Sequence, residues 1–223
     1  MSTDKPLWYG IYQPILTVNK DLKSQVQDYE LLLRDENNNF PGKEFLDAIL
    51  TQEGNERWIE SVRPSVKAAL TNHPERHIYL NLDPAQLTFP NVWEFLKETH
   101  KLYGDQVAIE ITERRKLLPS INYFTEEFHK LKKLGFEIAI DDVSSGGNSY
   151  EFVYHHLEDI DRIKLSMLIF KNSTIKTALS FAEAWMDFAQ EKEITFVLEG
   201  IDNKEVAQKF AGLPNVLQQG FYW

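Results

Sequence analysis

Phe136-Glu-Ile-Ala-Ile140, followed at once by Asp141-Asp142, is the stretch on which the fold turns. A second run of the same kind, Ile194-Thr-Phe-Val-Leu198, ends on Glu199. Short, nearly continuous apolar runs read as parallel strands buried on both faces. A charged group just past such a strand is costly unless it is paired or holds a metal. Five further β-like runs carry a polar group near their C-terminal ends, at Glu30, Asn81, Glu110, Lys164 and Gln219. That many in series imply strand ends converging on one polar site. In a barrel of parallel strands, the C-terminal face is where catalytic groups collect.

Outward from these runs the chain alternates. Strands are expected at Tyr9–Leu16, Tyr29–Arg34, His77–Leu82, Gln106–Thr112, Phe136–Asp141, Ile160–Leu165, Ile194–Glu199 and Asn215–Gly220. Helices are expected at Lys43–Leu50, at Glu56–Thr71 with a break or kink at Pro64, and at Val92–Tyr103 and Ile121–Leu134. Further helices are expected at Tyr150–His156, Thr174–Glu191 and Lys204–Phe210. Ile175, Ala178, Leu179, Ala182, Met186 and Ala189 recur at helical spacing, and Phe181, Trp185 and Phe188 form a second stripe read as core packing. Asp202-Asn-Lys-Glu205 resembles a capping box, and Gly135 stands where a helix would stop. Eight strands alternating with helices predict an α/β closed barrel, a modified (β/α)₈ TIM-like fold in a single domain spanning 1–223.

Composition fits. The 223 residues are 43% hydrophobic and 13% aromatic, enough for one core of barrel size. No segment reaches the ~18 consecutive apolar residues of a membrane span, and the N-terminus lacks a signal-like apolar stretch. Absence of cysteine excludes disulfides and thiolate zinc sites and fits a cytoplasmic location. With Asp plus Glu at 34 against Lys plus Arg at 24, the net charge of −10 argues against long nucleic acid as a partner. A small anionic ligand stays compatible if divalent cations invert the local sign.

Glu30, Asn81, Glu110, Asp141 and Asp142 are hard oxygen donors, suited to magnesium, manganese or calcium rather than zinc or copper. The adjacent aspartates can place one carboxylate between two cations, and a metal pair ~3.5–4 Å apart serves in-line displacement at phosphorus. Lys164 and Glu199 would position or deprotonate an attacking water. Strand-end carboxylates also cap helices, and Asp142 and Asp202 are the two best suited to that alone. All six histidines read as surface or loop residues. Neither a phosphate-binding glycine loop nor a serine elbow follows any strand.

Eight motifs in order resemble the EAL domain family of cyclic di-GMP phosphodiesterases, from about Tyr12 to the C-terminus. They are Tyr12-Gln-Pro-Ile15, Glu30-Leu-Leu-Leu-Arg34 at the signature position, Asn81-Leu-Asp-Pro-Ala-Gln-Leu87 and Glu110-Ile-Thr-Glu113. Asp141-Asp142, Lys164-Leu-Ser166, Glu199-Gly-Ile-Asp202 and Gln219-Gly-Phe221 complete the set. The resemblance implies a barrel whose first strand pair departs from parallel order, and two Mg²⁺ or Mn²⁺ ions per site. Glu30, Asn81, Glu110 and Asp141 would hold one ion, and Asp141 with Asp142 would serve the second. Arg34 would contact a phosphate, and Gln13 and Gln219 the dinucleotide. The implied reaction opens cyclic di-GMP to linear pGpG. A catalytically silent module that binds cyclic di-GMP or a protein is the alternative, and the family makes a homodimer an expected assembly.

The departures cluster. Val143-Ser-Ser-Gly-Gly-Asn148 replaces the family's usual Phe-Gly-Thr-Gly-Tyr-Ser, in a loop that links metal binding to the dimer interface there. With a serine where the family has its first loop glycine, the expectation is a different loop path and a weaker second ion site. Ser166 and Asp202 stand where the family has longer or charged groups, and the sequence ends three residues past Gly220.

Overall fold

The computed structural model describes residues 8–113 and 121–223. Eight strands close into one barrel in chain order: β1 (Tyr9–Val18), β2 (Ser24–Arg34), β3 (Ile78–Leu82), β4 (Val107–Ile111), β5 (Ile138–Ile140), β6 (Arg162–Ser166), β7 (Thr195–Glu199) and β8 (Val216–Gln218). Around them lie α1 (Gly42–Ala48), α2 (Gln52–Asn72), α3 (Pro90–Tyr103), α4 (Ile121–Leu134), α5 (Tyr150–His155), α6 (Ile175–Glu191) and α7 (Lys204–Lys209). Neighbours from β2 to β8 are parallel, whereas β1 runs antiparallel to both β2 and β8. β2 begins at Ser24 rather than Tyr29 because its ladder with β1 continues to the pair Val18↔Ser24.

Strand side chains alternate between barrel lumen and helical shell. Ile78, Leu80, Ile109, Ile138 and Ile163 face outward into the main core with Trp58, Phe95 and Phe128. A separate inner cluster, Ile15, Tyr79, Ala108, Ala139, Val197 and Leu217, fills the lumen. Small alanines on adjacent strands leave room for the Tyr79 ring, an interdigitation typical of barrel layers. Below this layer Arg162 donates to Asp28 Oδ2 at 2.7 Å, and its guanidinium lies 4.0 Å over the Tyr79 ring. Tyr79 in turn hydrogen-bonds Glu137. A buried charge is tolerated at that end because it is paired there.

Local chemistry explains the helices. Thr51 caps α2 by accepting from Gly54 N at 3.0 Å, and Asn203 caps α7 by accepting from Val206 N at 3.0 Å. The α7 cap is therefore Asn203, one residue later than expected; Asp202 instead accepts from the Asn203 side chain at 2.8 Å. Helix α2 continues through Pro64, so of the expected break or kink the break does not occur. Not all histidines are superficial: His156 is buried against Phe124, Phe128 and Phe152, with Nδ1 2.8 Å from the Phe152 carbonyl. On α6 the buried stripe is Ala178, Ala182, Trp185 and Ala189, while Ile175 and Phe181 are exposed. Spacing alone did not separate these two stripes.

Helix α4 ends as its glycine requires. Gly135 adopts φ 99°, its N–H bonds the Lys132 carbonyl, and Phe136 N–H bonds the Leu131 carbonyl. That pair of bonds is a Schellman ending, and it turns the chain directly into the strand leading to Asp141. A Cβ on Gly135 would lie 2.7 Å from the His100 ring. Gly135→Ala is expected to lose roughly 1–2 kcal/mol of stability, lowering the thermal midpoint by a few degrees. An unchanged midpoint would show that this turn carries no conformational demand.

Candidate active site

The site follows from strand parity. Each inner-layer residue on a parallel strand is followed two positions later by a polar group at the barrel mouth. Tyr79 precedes Asn81, Ala108 precedes Glu110, Ala139 precedes Asp141, Val197 precedes Glu199 and Leu217 precedes Gln219. Buried Asp28 and Arg162 stand likewise before Glu30 and Lys164. On antiparallel β1 the order reverses: Gln13 comes before the inner residue Ile15 and pairs in register with Glu30.

Lys164 sits at the centre, fully buried. Its Nζ lies 2.6 Å from Glu110 Oε1, 2.7 Å from Glu199 Oε1, 3.1 Å from Glu30 Oε2 and 3.7 Å from Asp141 Oδ1. Glu30 is held further by Asn81 Nδ2 donating to Oε1 at 2.7 Å and Gln219 Nε2 donating to Oε2 at 2.8 Å. Among the described residues, no second cation lies within ion-pair distance of these four carboxylates.

That imbalance sets the electrostatics. Burial pushes Glu110 well above the usual carboxylate range and the Glu30 charge adds to it, against the pull of Lys164. Asp141 is raised strongly for the same reasons, burial first, with Glu110, Glu199 and Asp142 contributing. Glu199 is pushed up to about 7, mainly by burial. Asp142 is raised by burial and by the Glu113 carboxylate. Glu30 is the exception: burial opposes its charge, but Lys164 and the Asn81 and Gln219 hydrogen bonds overcome it and lower its pKa. For Lys164, burial would disfavour the ammonium, and the surrounding carboxylates reverse this and raise it well above its ordinary value.

Among the described residues, two buried carboxylate oxygens of the site, Glu110 Oε2 and Asp141 Oδ1, have no hydrogen-bond donor. Glu113, Asp141 and Asp142 bring carboxylate oxygens within 4.8 Å of one another. Unsatisfied oxygens and excess negative charge are what an oxygen-ligated divalent cation would complete, so the donor set fits such ions. The motif Glu110-Ile-Thr-Glu113 by itself gives Glu113 no role; the structure sets it beside the paired aspartates. Among the described residues Asp142 caps no helix: Ser149 caps α5, accepting from Phe152 N at 3.3 Å, and Asp142 lines the cleft.

Two clefts flank the cluster. One is lined by Glu30, Arg34, Asn81, Glu113, Asp141 and Asp142, the other by Gln13, Ser166, Glu199, Gln219 and Phe221. Arg34 donates to the Leu33 carbonyl at 2.8 Å and makes no ion pair with the described residues. All ten residues singled out in the sequence thus come to one barrel mouth. In the altered loop Ser144 adopts φ 74° and Asp142 φ 44°. A serine thus takes a left-handed conformation that glycine adopts far more readily.

A sequence model of the EAL domain matches residues 10–223. The chain is 24% identical over 219 residues, 95% of its length and 32% of the relative's, to cyclic di-GMP phosphodiesterase PdeA of Borreliella burgdorferi. It is 26% identical over 153 residues, 66% of its length, to probable cyclic di-GMP phosphodiesterase PdeB of Escherichia coli K12, covering 28% of that protein. It therefore spans about a third of the length of these curated relatives. Among solved structures, the EAL domain protein of Listeria monocytogenes aligns with TM-score 0.74 at 20% identity, covering 97% of this chain and 87% of the other. The manganese and cyclic di-GMP complex of Klebsiella pneumoniae BlrP1 aligns with TM-score 0.75 at 22% identity, covering 99% and 56%. These structural likenesses establish the barrel, and with a family match over nearly its whole length the chain belongs to the EAL domain family.

Proposed function

We propose that this chain hydrolyses cyclic di-GMP to linear pGpG with two Mg²⁺ or Mn²⁺ ions. The observation that carries the reading is the mouth of an EAL barrel in which four carboxylates surround one buried ammonium. Its support is the complete oxygen set: Glu30, Asn81, Glu110 and Asp141 would hold one ion, and Asp141 and Asp142 the second, beside Glu113. Bound there, the ions would supply Lewis acidity towards a phosphodiester and make water more acidic. The relatives named as cyclic di-GMP phosphodiesterases, and the manganese complex of BlrP1, point to the same ligands.

The residues divide the remaining work. Lys164, held as a cation by its carboxylate neighbours, is suited to orienting the attacking water rather than deprotonating it. Glu199, with its proton labile near pH 7, is the better acceptor. Arg34 has guanidinium N–H groups left for a phosphate. Gln219 donates one amide N–H to Glu30 and, among the described residues, leaves Oε1 without a donor, so a guanine N–H would be accepted there, while Gln13 lines the same cleft. Among the described residues no helix is long and apolar enough to cross a membrane. Half-exposed Tyr150 and Tyr154 on α5 and Phe181 on α6 offer the surface for the expected homodimer.

Purified protein with cyclic di-GMP and either Mn²⁺ or Mg²⁺ is expected to yield pGpG by chromatography. Ca²⁺ is expected to bind without supporting turnover. Binding of the dinucleotide with no pGpG under either activating ion would instead establish the catalytically silent module. Glu30→Ala is expected to abolish turnover, since it removes a charged ligand. Lys164→Ala is expected to retain ion binding while turnover falls by ~10²–10⁴-fold; wild-type turnover in that variant would refute its assigned role.

A further inference from the structure

Asp142 and Ser144 are non-glycine residues in the left-handed backbone region, at φ 44° and 74°. That conformation is unfavourable for a residue with a Cβ and persists only where surroundings fix it. Between them Val143 is fully buried and its N–H bonds the Lys164 carbonyl at 2.9 Å, so the middle of the segment is anchored to β6. Asp141 is anchored too, its N–H bonding the Ile111 carbonyl at 3.0 Å. Ser144 is exposed and has no such packing. Its N–H bonds the Asn148 carbonyl at 2.9 Å within the loop, and its Oγ accepts from Trp185 Nε1 at 2.7 Å. Among the described residues, that indole is its one hydrogen-bond partner outside the loop.

Trp185 is itself rigidly placed. It is buried on α6, edge-on to Phe188 at 5.6 Å and 6.0 Å from the ring of Tyr150, the first residue of α5. The indole therefore touches the segment near both its beginning and its end. Ser145 N–H returns to the Asp142 carbonyl at 2.9 Å, which ties the backbone of Asp142 to the same turn.

We propose that Trp185 is a positioning residue whose indole N–H holds Ser144 in its left-handed conformation and so fixes the turn that presents Asp142 to a divalent cation. The last step rests on reading Asp141 and Asp142 as ion ligands. Serine gives up the freedom of glycine at this position and gains an oxygen that α6 can grasp, so a lost glycine is matched by a gained hydrogen bond.

Backbone hydrogen exchange in ion-free protein, together with Mn²⁺ titration calorimetry, tests this in wild type, Trp185→Phe, Ser144→Gly and the double variant. Phenylalanine keeps an aromatic ring and removes the donor together with part of the indole's volume, and the Ser144→Gly background separates the two effects. Trp185→Phe is expected to speed exchange at the Ser144, Ser145 and Asn148 amides by roughly 3–10-fold and to weaken one Mn²⁺ site similarly. In the Ser144→Gly background the same substitution is expected to change neither. Ser144→Ala, which removes the acceptor without touching α6, should reproduce Trp185→Phe. Unchanged exchange in Trp185→Phe, or an equal change with glycine at 144, would overturn the proposal. Failure of the wild type to bind Mn²⁺ would overturn only the ion reading, since the exchange data still decide whether Trp185 holds the turn.

Discussion

One buried ammonium holds the barrel mouth together. Lys164 lies within 4.0 Å of carboxylates contributed by β2, β4, β7 and the end of β5, with its own strand between β5 and β7. Removing either sign of charge from water is expensive, and mutual attraction returns that cost only where the geometry satisfies all the groups. Here it satisfies both oxygens of Glu30 and, among the described residues, leaves oxygens of Glu110 and Asp141 without donors. The cluster is thus a stable arrangement with a deficit of positive charge. That deficit is what the proposed divalent cations would balance.

Everything below the mouth serves to place those groups. Parallel register from β2 to β8 lines up residues of one parity in layers, a charged base of Asp28 and Arg162, an apolar middle, and the polar mouth. A one-residue slip in any strand would turn its mouth residue into the helical shell. Direction matters as much as register, because antiparallel β1 brings Gln13 to the mouth from the opposite side of its inner residue.

The eight strands and the residues at their ends were legible in the sequence because buried parallel strands are apolar almost throughout, and a polar residue at the end of each stands out. What escaped reading depended on contacts between distant segments. His156 looked like its exposed neighbour His155, yet aromatic rings from α4 and α5 enclose it. Trp185 and Phe181 are one helical turn apart, and only the packing of α6 buries the first and exposes the second. Ser144 looked like the loss of a glycine, and the hydrogen bond that lets serine take its conformation comes from a residue far along the chain. Caps slipped by one position, since Asp202 and Asn203 are both good caps and the local path selects the second.

The charge deficit is tested most directly by thermal unfolding across about pH 6 to 8.5, with chelator and with Mn²⁺. Glu110, Asp141 and Glu199 have folded-state pKa values raised above their ordinary ones, so their contribution to stability is present in acid and lost as pH rises through those values, near 7 for Glu199. Glu30 acts in the opposite sense, but only in acid below that window. A charge-deficient mouth therefore predicts that the chelated protein loses stability as pH rises and that the stabilisation by Mn²⁺ grows over the same range. A difference between the two curves that is zero, or that shrinks with rising pH, would contradict it.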